Sequence, residues 1–358
     1  MSFELPKFTP PDFTKNLFKD SPDVKIGEVV KEGVAPDNFH LTSIYPEYYK
    51  VNGKWMLPEK GFMDCVPIVK DNVIKVVEMQ ELKVGDKVIL GRKRDASEGI
   101  FEYKDGFGTN MITEMGRSPE TSYSRDYKKL YELMKYEKEH NGHIVWVLGP
   151  AVVFDYDTRV ALSALAKEGY VNALMAGNAM CTHDLEGGLL GTALGQNIYT
   201  QETVPLGHYN HLDLINEARR AGSLEALVEE GNVKNGFIKT CMENNIPIVL
   251  CGSIRDDGPL PPVYAEASKG LEAMKEQTEK ATLVITIATV LHSVAASNLT
   301  PSYTVKGGEV RPVYMYSADI AEYATNQVAN ARRHVGITTI NTNVQDFVVN
   351  VKKNLLDK

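Results

Sequence analysis

Six short segments carry the small and polar residues through which a ligand could approach a backbone: Gly149-Pro150, Gly177-Asn178-Ala179, Gly252-Ser253, Thr289-Val290-Leu291-His292, Asp319 and Thr342-Asn343. Each follows a short, mostly apolar run. Glycine admits close approach, and Asn, Ser and Thr offer uncharged hydrogen bonds to a nucleotide. Asp319 closes the run Tyr314 to Ala318, where an acidic side chain accepts both hydroxyls of an adenosine ribose or, alternatively, caps the segment that follows. An acid there favours NAD and would repel the 2′-phosphate of NADP. No GxGxxG follows the first run, and Gly187-Gly188, Gly191 and Gly195 imitate one without following a strand. His183-Asp184, His208 and His211 have spacing that a metal could use, but loop histidines mostly hydrogen-bond locally, and no metal is expected. The charged run Gly252 to Pro261 has two readings. One Asp caps the next helix while Arg255 pairs with the other, or Arg255 holds a carboxylate bidentately while one Asp faces an amine or ribose.

The elements that must position these residues follow from hydrophobic pattern. The runs Ile144 to Leu148, Val171 to Ala176, Ile246 to Leu250, Leu283 to Ala288, Val313 to Tyr316 and Ile337 to Ile340 are continuously apolar rather than alternating, and most are separated by material that can supply a helix. Burial on both faces with helical crossovers predicts an α/β fold, a doubly wound parallel sheet, whose ligands bind beyond the carboxyl ends of the strands. A helix is predicted from about Pro119 to His140, another capped by Asp157 or Thr158 and ended by Gly169, one from Asn210 to near Gly222, and one opened by Pro261-Pro262 towards Lys280. Before this, Val24 to Val30, Tyr49 to Val51, Cys65 to Val69, Val73 to Met79 and Lys87 to Leu90 predict a small, mainly antiparallel β domain. The expected organisation is an extended arm (1–23), a β-rich substrate-side domain and connection (24–118) and a Rossmann-like NAD-binding domain (119–358).

Composition narrows the classes. The 358 residues are 43% apolar and 24% charged, with a net charge of −8 and no basic stripe, which disfavours nucleic acid. Four cysteines without CxxC spacing predict reduced thiols of a cytoplasmic protein, and no apolar stretch reaches the length of a membrane helix. A small-molecule amino acid as partner and a homo-oligomer of the chain are expected only from the family resemblance that follows.

Gly33-Val34-Ala35-Pro36-Asp37-Asn38-Phe39, Met63-Asp64, Gly177-Asn178-Ala179 with His183-Asp184, Ser253 to Pro261, and Leu291-His292-Ser293 with Asn298-Leu299-Thr300-Pro301 together resemble the LOR/SDH-region family. That family includes archaeal NAD-dependent ornithine cyclodeaminases and the carboxyl-terminal half of the cyanobacterial arginine dihydrolase/ornithine cyclodeaminases. The resemblance runs from about residue 25 to the end, and it implies a nucleotide domain like that of deoxyhypusine synthase. It places NAD contacts on Asn178, Ala179, Asp257, Thr289, Val290, Leu291, His292, Asp319, Asn343 and Val344, and a substrate contact on Asn38. It implies an ammonia-lyase acting in arginine breakdown and proline formation: hydride leaves Cα of ornithine, the δ-amine closes the ring, ammonia departs and hydride returns. Asp184 is the leading acid/base candidate, followed by Asp64 and His208, with Arg255 for the carboxylate. Other NAD-dependent reactions on amino acids or polyamines, and a non-catalytic NAD sensor, are the alternatives. Family members carry a further amino-terminal module of roughly a hundred residues, and this chain begins near its end.

Overall fold

The structure is a computed structural model and describes residues 4–108, 123–253, 256, 258–331 and 336–357. The amino-terminal third holds α1 (Asn16–Lys19) and strands β1 (Lys25–Glu28), β2 (Glu47–Val51), β3 (Lys54–Met56), β4 (Lys60–Gly61), β5 (Val66–Lys70), β6 (Val73–Val77), β7 (Lys87–Leu90) and β8 (Ile100–Glu102). Seven of these strands form two antiparallel sheets, ordered β1-β7-β5-β6 and β3-β2-β8, that enclose Val24, Tyr49, Ile74, Ile89 and Ile100. Asp71 and Asn72, both at positive φ, make the two-residue turn that joins β5 to β6 with the twist a hairpin needs.

The amino-terminal arm is not merely extended. Phe13 stacks on Trp55, Phe18 meets Phe101 edge-on, and Phe8 meets Phe107. The buried ammonium of Lys50 donates to the carbonyls of Phe18, Lys19 and Ser21 at 2.6 to 3.1 Å, neutralising the carboxyl end of α1.

The remainder runs α2 (Tyr123–Glu139), β9 (Ile144–Leu148), α3 (Tyr156–Lys167), β10 (Ala173–Gly177), α4 (Asn178–Leu190), the small hairpin β11 (Thr192–Ala193) and β12 (Gln196–Asn197), α5 (Asn210–Ala221), α6 (Leu224–Glu229), α7 (Phe237–Glu243) and β13 (Ile248–Cys251). It continues through α8 (Ala267–Thr278), β14 (Leu283–Ile287), α9 (Leu291–Leu299), β15 (Tyr303–Lys306), β16 (Glu309–Pro312), β17 (Tyr314–Asp319), α10 (Glu322–Ala331), β18 (Ile337–Asn341) and α11 (Val344–Leu356). Six of these strands form one parallel sheet in the order β13-β10-β9-β14-β17-β18. Read in chain order that is 3-2-1-4-5-6, the doubly wound arrangement whose order reverses between its first and fourth strands. The continuous apolarity of β9 follows from its position at the centre: Trp146 packs into the larger core on one face, and Val145 and Val147 into a second core on the other. Among the described residues no helix is long and apolar enough to cross a membrane.

Two local expectations are corrected. Asp155, not Asp157 or Thr158, caps α3, accepting from the Thr158 amide at 2.9 Å. The helix expected from Pro261 begins at Ala267, because Tyr264 first pairs its backbone with Leu250 and Gly252 as a strand would. The two main parts also share a sheet: β15 pairs with both β16 and β4, so a hairpin from the second half completes the first. Tyr303 is fully buried over Gly61, where any Cβ would lie 2.1 Å from its ring.

Candidate functional site

Because all six strands are parallel, the segments that follow them emerge on one edge, and the deepest approach is at the reversal between β9 and β14. Gly149, directly after β9, donates its N–H to Ile287 O at 2.8 Å, and a Cβ on Gly149 would stand 1.8 Å from Ala288 O. Only glycine allows this contact. Ala288 itself has φ +56°, a left-handed conformation that an alanine adopts at a cost of about 1 kcal/mol. On the next strand, Gly177 opens α4 beneath the ring of His292, whose Cε1 would lie 3.1 Å from a Cβ there. Thr289 Oγ1 is 3.4 Å from His292 Nδ1, and Ser293 Oγ donates to Thr289 O, so the turn between β14 and α9 is held from both sides. Burial pulls the His292 imidazole below its ordinary pKa, more strongly than the carboxylate of Asp256 raises it, so the ring is neutral at pH 7. Asp256 folds back on Ser253, accepting from its N–H at 2.8 Å and its hydroxyl at 3.0 Å.

The other expected cofactor contacts among the described residues lie on the same edge, several with local tasks. The Asn178 carboxamide accepts from Leu260 N–H at 2.9 Å and donates to Gly258 O at 3.1 Å, pinning the loop before α8. Ala179, Val290 and Leu291 are exposed in first turns or caps of helices. Asp319 ends β17 and accepts from Ala321 N–H at 2.9 Å through one oxygen. Asn343 caps α11, accepting from Gln345 and Asp346, and Val344 is buried beneath it. Asp257 and Arg255 lie outside the described residues.

The three acid/base candidates are not brought together. Asp184 is sealed within the α3–α4–α7 layer, one oxygen on Arg159 Nε at 2.9 Å and the other on the Ile238 amide at 2.7 Å. A carboxylate fully buried in an ion pair has no access to substrate, so the acid/base role expected of Asp184 gives way to a structural one. His208 is exposed on a 3-10 turn (207–209), its ring 4.4 Å from that of Tyr209. His183 bonds Glu186 at 2.8 Å, and no cluster of three metal-ligating side chains exists among the described residues. Asn38 is an exposed, positive-φ turn residue of the β region whose carbonyl accepts from Gly91. All four cysteines are free, and burial raises each thiol, that of Cys65 to about 12.

Asp64 lies elsewhere, in a cleft of about 480 Å³ between the β region and the α8–α9 pair. The cleft meets the strand-end crevice at Leu291 and carries Asp64, Glu78 and Lys275 among apolar walls. Lys275 is ion-paired with Glu81 and, at 3.6 Å, with Glu78. Ser297 Oγ is buried on its wall with no hydrogen-bond partner among the described residues. The motifs Met63-Asp64, Leu291 and Asn298-Leu299-Thr300, separate in the sequence, meet on its walls, which come from residues 44–78 and 271–302.

Residues 128–328 match the ArgZ-like arginine dihydrolase C-terminal family, described as a Rossmann fold. The ornithine cyclodeaminase of Methanocaldococcus jannaschii is 38% identical over 294 residues, covering 78% of this chain and 68% of that protein. The bifunctional arginine dihydrolase/ornithine cyclodeaminase AgrE of a Nostoc species is 33% identical over 295 residues, covering 80% of this chain and 42% of AgrE. Among solved structures, a LOR/SDH protein from Methanococcus maripaludis superposes with a TM-score of 0.83 at 31% identity, covering 93% of this chain and 98% of that one. The ternary complex of AgrE with ornithine and NAD+ matches with a TM-score of 0.58 at 29% identity, covering 94% of this chain and 46% of that one. This chain therefore belongs to the family of the archaeal ornithine cyclodeaminases and the ArgZ-like C-terminal Rossmann-fold regions.

Proposed function

We propose that this chain is an NAD-dependent ornithine cyclodeaminase, converting L-ornithine to L-proline and ammonia. The reading is carried by the crevice at the β9–β14 reversal, where Gly149, Gly177 and His292 meet in a chain related to AgrE, whose solved complex holds ornithine and NAD+. The residues present fit a dinucleotide. Gly149 and Gly177 put no side chain between backbone and ligand, and Asp319 has a second oxygen beyond its turn bond for ribose hydroxyls. NAD bound there supplies an acceptor and then a donor of hydride, so the overall conversion carries no net redox change. The chain's own part is to bind, orient and move protons. His292, neutral through burial, accepts a proton from a substrate ammonium at the crevice. Asp64 in the adjoining cleft attracts an ammonium group of ornithine, while Glu78 is paired with Lys275. Arg255 takes the carboxylate. The δ-nitrogen then becomes the ring nitrogen of proline, and the α-nitrogen leaves as ammonia.

The deciding experiment incubates purified protein with L-ornithine and catalytic NAD while proline, ammonia and NADH absorbance are followed. Equal proline and ammonia without net NADH is the expected result. NAD binding without proline would overturn the reaction, and NADH accumulating in step with ornithine loss would make the protein a dehydrogenase. His292→Asn is expected to lower turnover by about 10²–10⁴-fold, the usual worth of a positioned acid or base.

A further inference from the structure

The proposed conversion takes two protons off nitrogen before ammonia leaves, and His292 carries one of them. A second imidazole stands between the segments that leave β9 and β10. α4 opens at Gly177, and His183 lies four residues beyond the exposed Ala179, on the same face of the helix and about 6 Å farther along its axis. Its ring meets that of Phe154 edge-on at 5.5 Å, and Phe154 directly follows the 3-10 turn Pro150–Val153 that begins after Gly149. The ring of His211, from α5, stands 6.0 Å away.

A connected set of hydrogen bonds fixes that imidazole. Nδ1 lies 2.8 Å from Glu186 Oε2, and because a carboxylate only accepts, the ring proton sits on Nδ1 and Nε2 keeps its lone pair. Leu194 N–H reaches the same carboxylate oxygen at 3.3 Å, Thr192 Oγ1 donates to the other at 2.7 Å, and Asn210 Nδ2 donates in turn to Thr192 Oγ1 at 2.8 Å. Glu186 thus has two donors besides the histidine, so satisfying this buried carboxylate does not require an imidazole. The Glu186 side chain is fully buried, whereas that of His183 keeps 9% of its surface exposed. A general base needs the same arrangement: one ring nitrogen is oriented from within by an acid, and the other is left to meet a ligand.

We propose that His183 is the second proton carrier of the reaction, with Glu186 as its positioning residue; the assignment rests on the cyclodeaminase reading. Once His292 holds a proton from the α-ammonium and loss of hydride has left a double bond between Cα and the α-nitrogen, His183 Nε2 takes a proton from the δ-ammonium. The freed lone pair forms the ring bond to Cα, and the π electrons of the double bond return to the α-nitrogen. His183 gives its proton to that nitrogen and accepts another from the ring nitrogen, whose lone pair forms the cyclic C=N bond as the bond from Cα to the α-nitrogen breaks and ammonia departs. The proton left on His183 goes out with ammonia as ammonium, so no further acid or base is needed between the two hydride transfers.

The test is turnover of ornithine by the full chain, with NAD affinity from calorimetry and folding from circular dichroism. His183→Gln is expected to bind NAD as the wild type does and to lower kcat for proline by about 10²-fold or more, with little change in the KM for ornithine. Hydride removal precedes the lost step, so NADH absorbance in this variant should rise to about one per chain and stay there, which a merely structural role would not produce. Glu186→Gln should lower kcat in the same way, and His183→Gly should regain activity by about tenfold or more with added imidazole. A His183→Gln protein that forms proline at the wild-type rate, or inactive His183 variants that neither accumulate NADH nor respond to imidazole, would overturn the proposal while leaving the reaction standing. A wild type that forms no proline from ornithine would instead overturn the reaction, and the proposal with it.

Discussion

Replacing Gly149 with alanine tests the contact on which the crevice is built. The added Cβ would lie 1.8 Å from Ala288 O and 2.5 Å from Ala288 C, both backbone atoms, so no side-chain rotation relieves it. Restoring the 3.0 Å that real Cβ atoms keep requires the loops after β9 and β14 to part by about 1.2 Å. That movement strains the Gly149 N–H to Ile287 O bond in a core where packing is tight on both faces. Overpacking together with a weakened buried hydrogen bond costs about 2–4 kcal/mol. In a thermal melt of a chain this long this is a drop of about 3–5 °C. NAD binding, measured by calorimetry, should weaken about tenfold or more, because the same displacement moves the floor on which the dinucleotide would rest. Ala288→Gly sharpens the test. It relieves the left-handed φ but leaves the clashing oxygen in place, so alone it should change stability by less than about 1 kcal/mol and should not rescue Gly149→Ala. A Gly149→Ala protein with wild-type melting and wild-type NAD affinity would refute the reasoning.

Asp184→Asn strands the Arg159 guanidinium in the interior and should destabilise the protein by about 3–5 kcal/mol in urea denaturation; a variant as stable as wild type but without turnover would return Asp184 to catalysis. Lys50→Met leaves the Lys19 and Ser21 carbonyls without this donor and Phe18 O with Trp55 Nε1 alone, so limited proteolysis should cut the first twenty residues at least tenfold faster, with the parallel-sheet half unaffected. His143 and His292 both have pKa values lowered by burial, so the unfolded chain takes up protons more readily than the folded one as pH falls below about 6.5. Stability in urea is therefore expected to be full above pH 7 and to decline from about pH 6.5 towards the lowered folded values, and His143→Gln should flatten that slope.

The parallel sheet was legible because its signal is local. All six strands coincide with the continuous apolar runs to within two or three residues, and their shared direction puts every following Gly, Asn, Thr or Asp on one edge. The strand-end positions proposed for a nucleotide share that edge for the same reason. What failed to show was pairing across distance. Nothing near Asp184 signals that Arg159, on another helix, will occupy its oxygen, so a buried ion pair read as an acid/base group. Pro261-Pro262 looked like a helix start because the backbone pairing of Tyr264 with Leu250 has no mark in composition. The motifs that line the Asp64 cleft were legible singly, but not their juxtaposition, since α8 and α9 meet the β region only in three dimensions.

The sheet shared by β4, β15 and β16 sets an order of events during synthesis. Gly61 waits for Tyr303, and Ser302 N–H donates to Gly61 O across 241 positions of chain. At typical elongation of about 5–20 residues per second, that interval is roughly 10–50 s on the ribosome. During it the nascent amino-terminal region has an unpaired strand edge and a hollow over Gly61 where the Tyr303 ring will later sit. The time to first completed fold is therefore governed by how late the hairpin is made, and a truncated product ending before residue 303 would carry that edge permanently, as a template for adhesion to other chains.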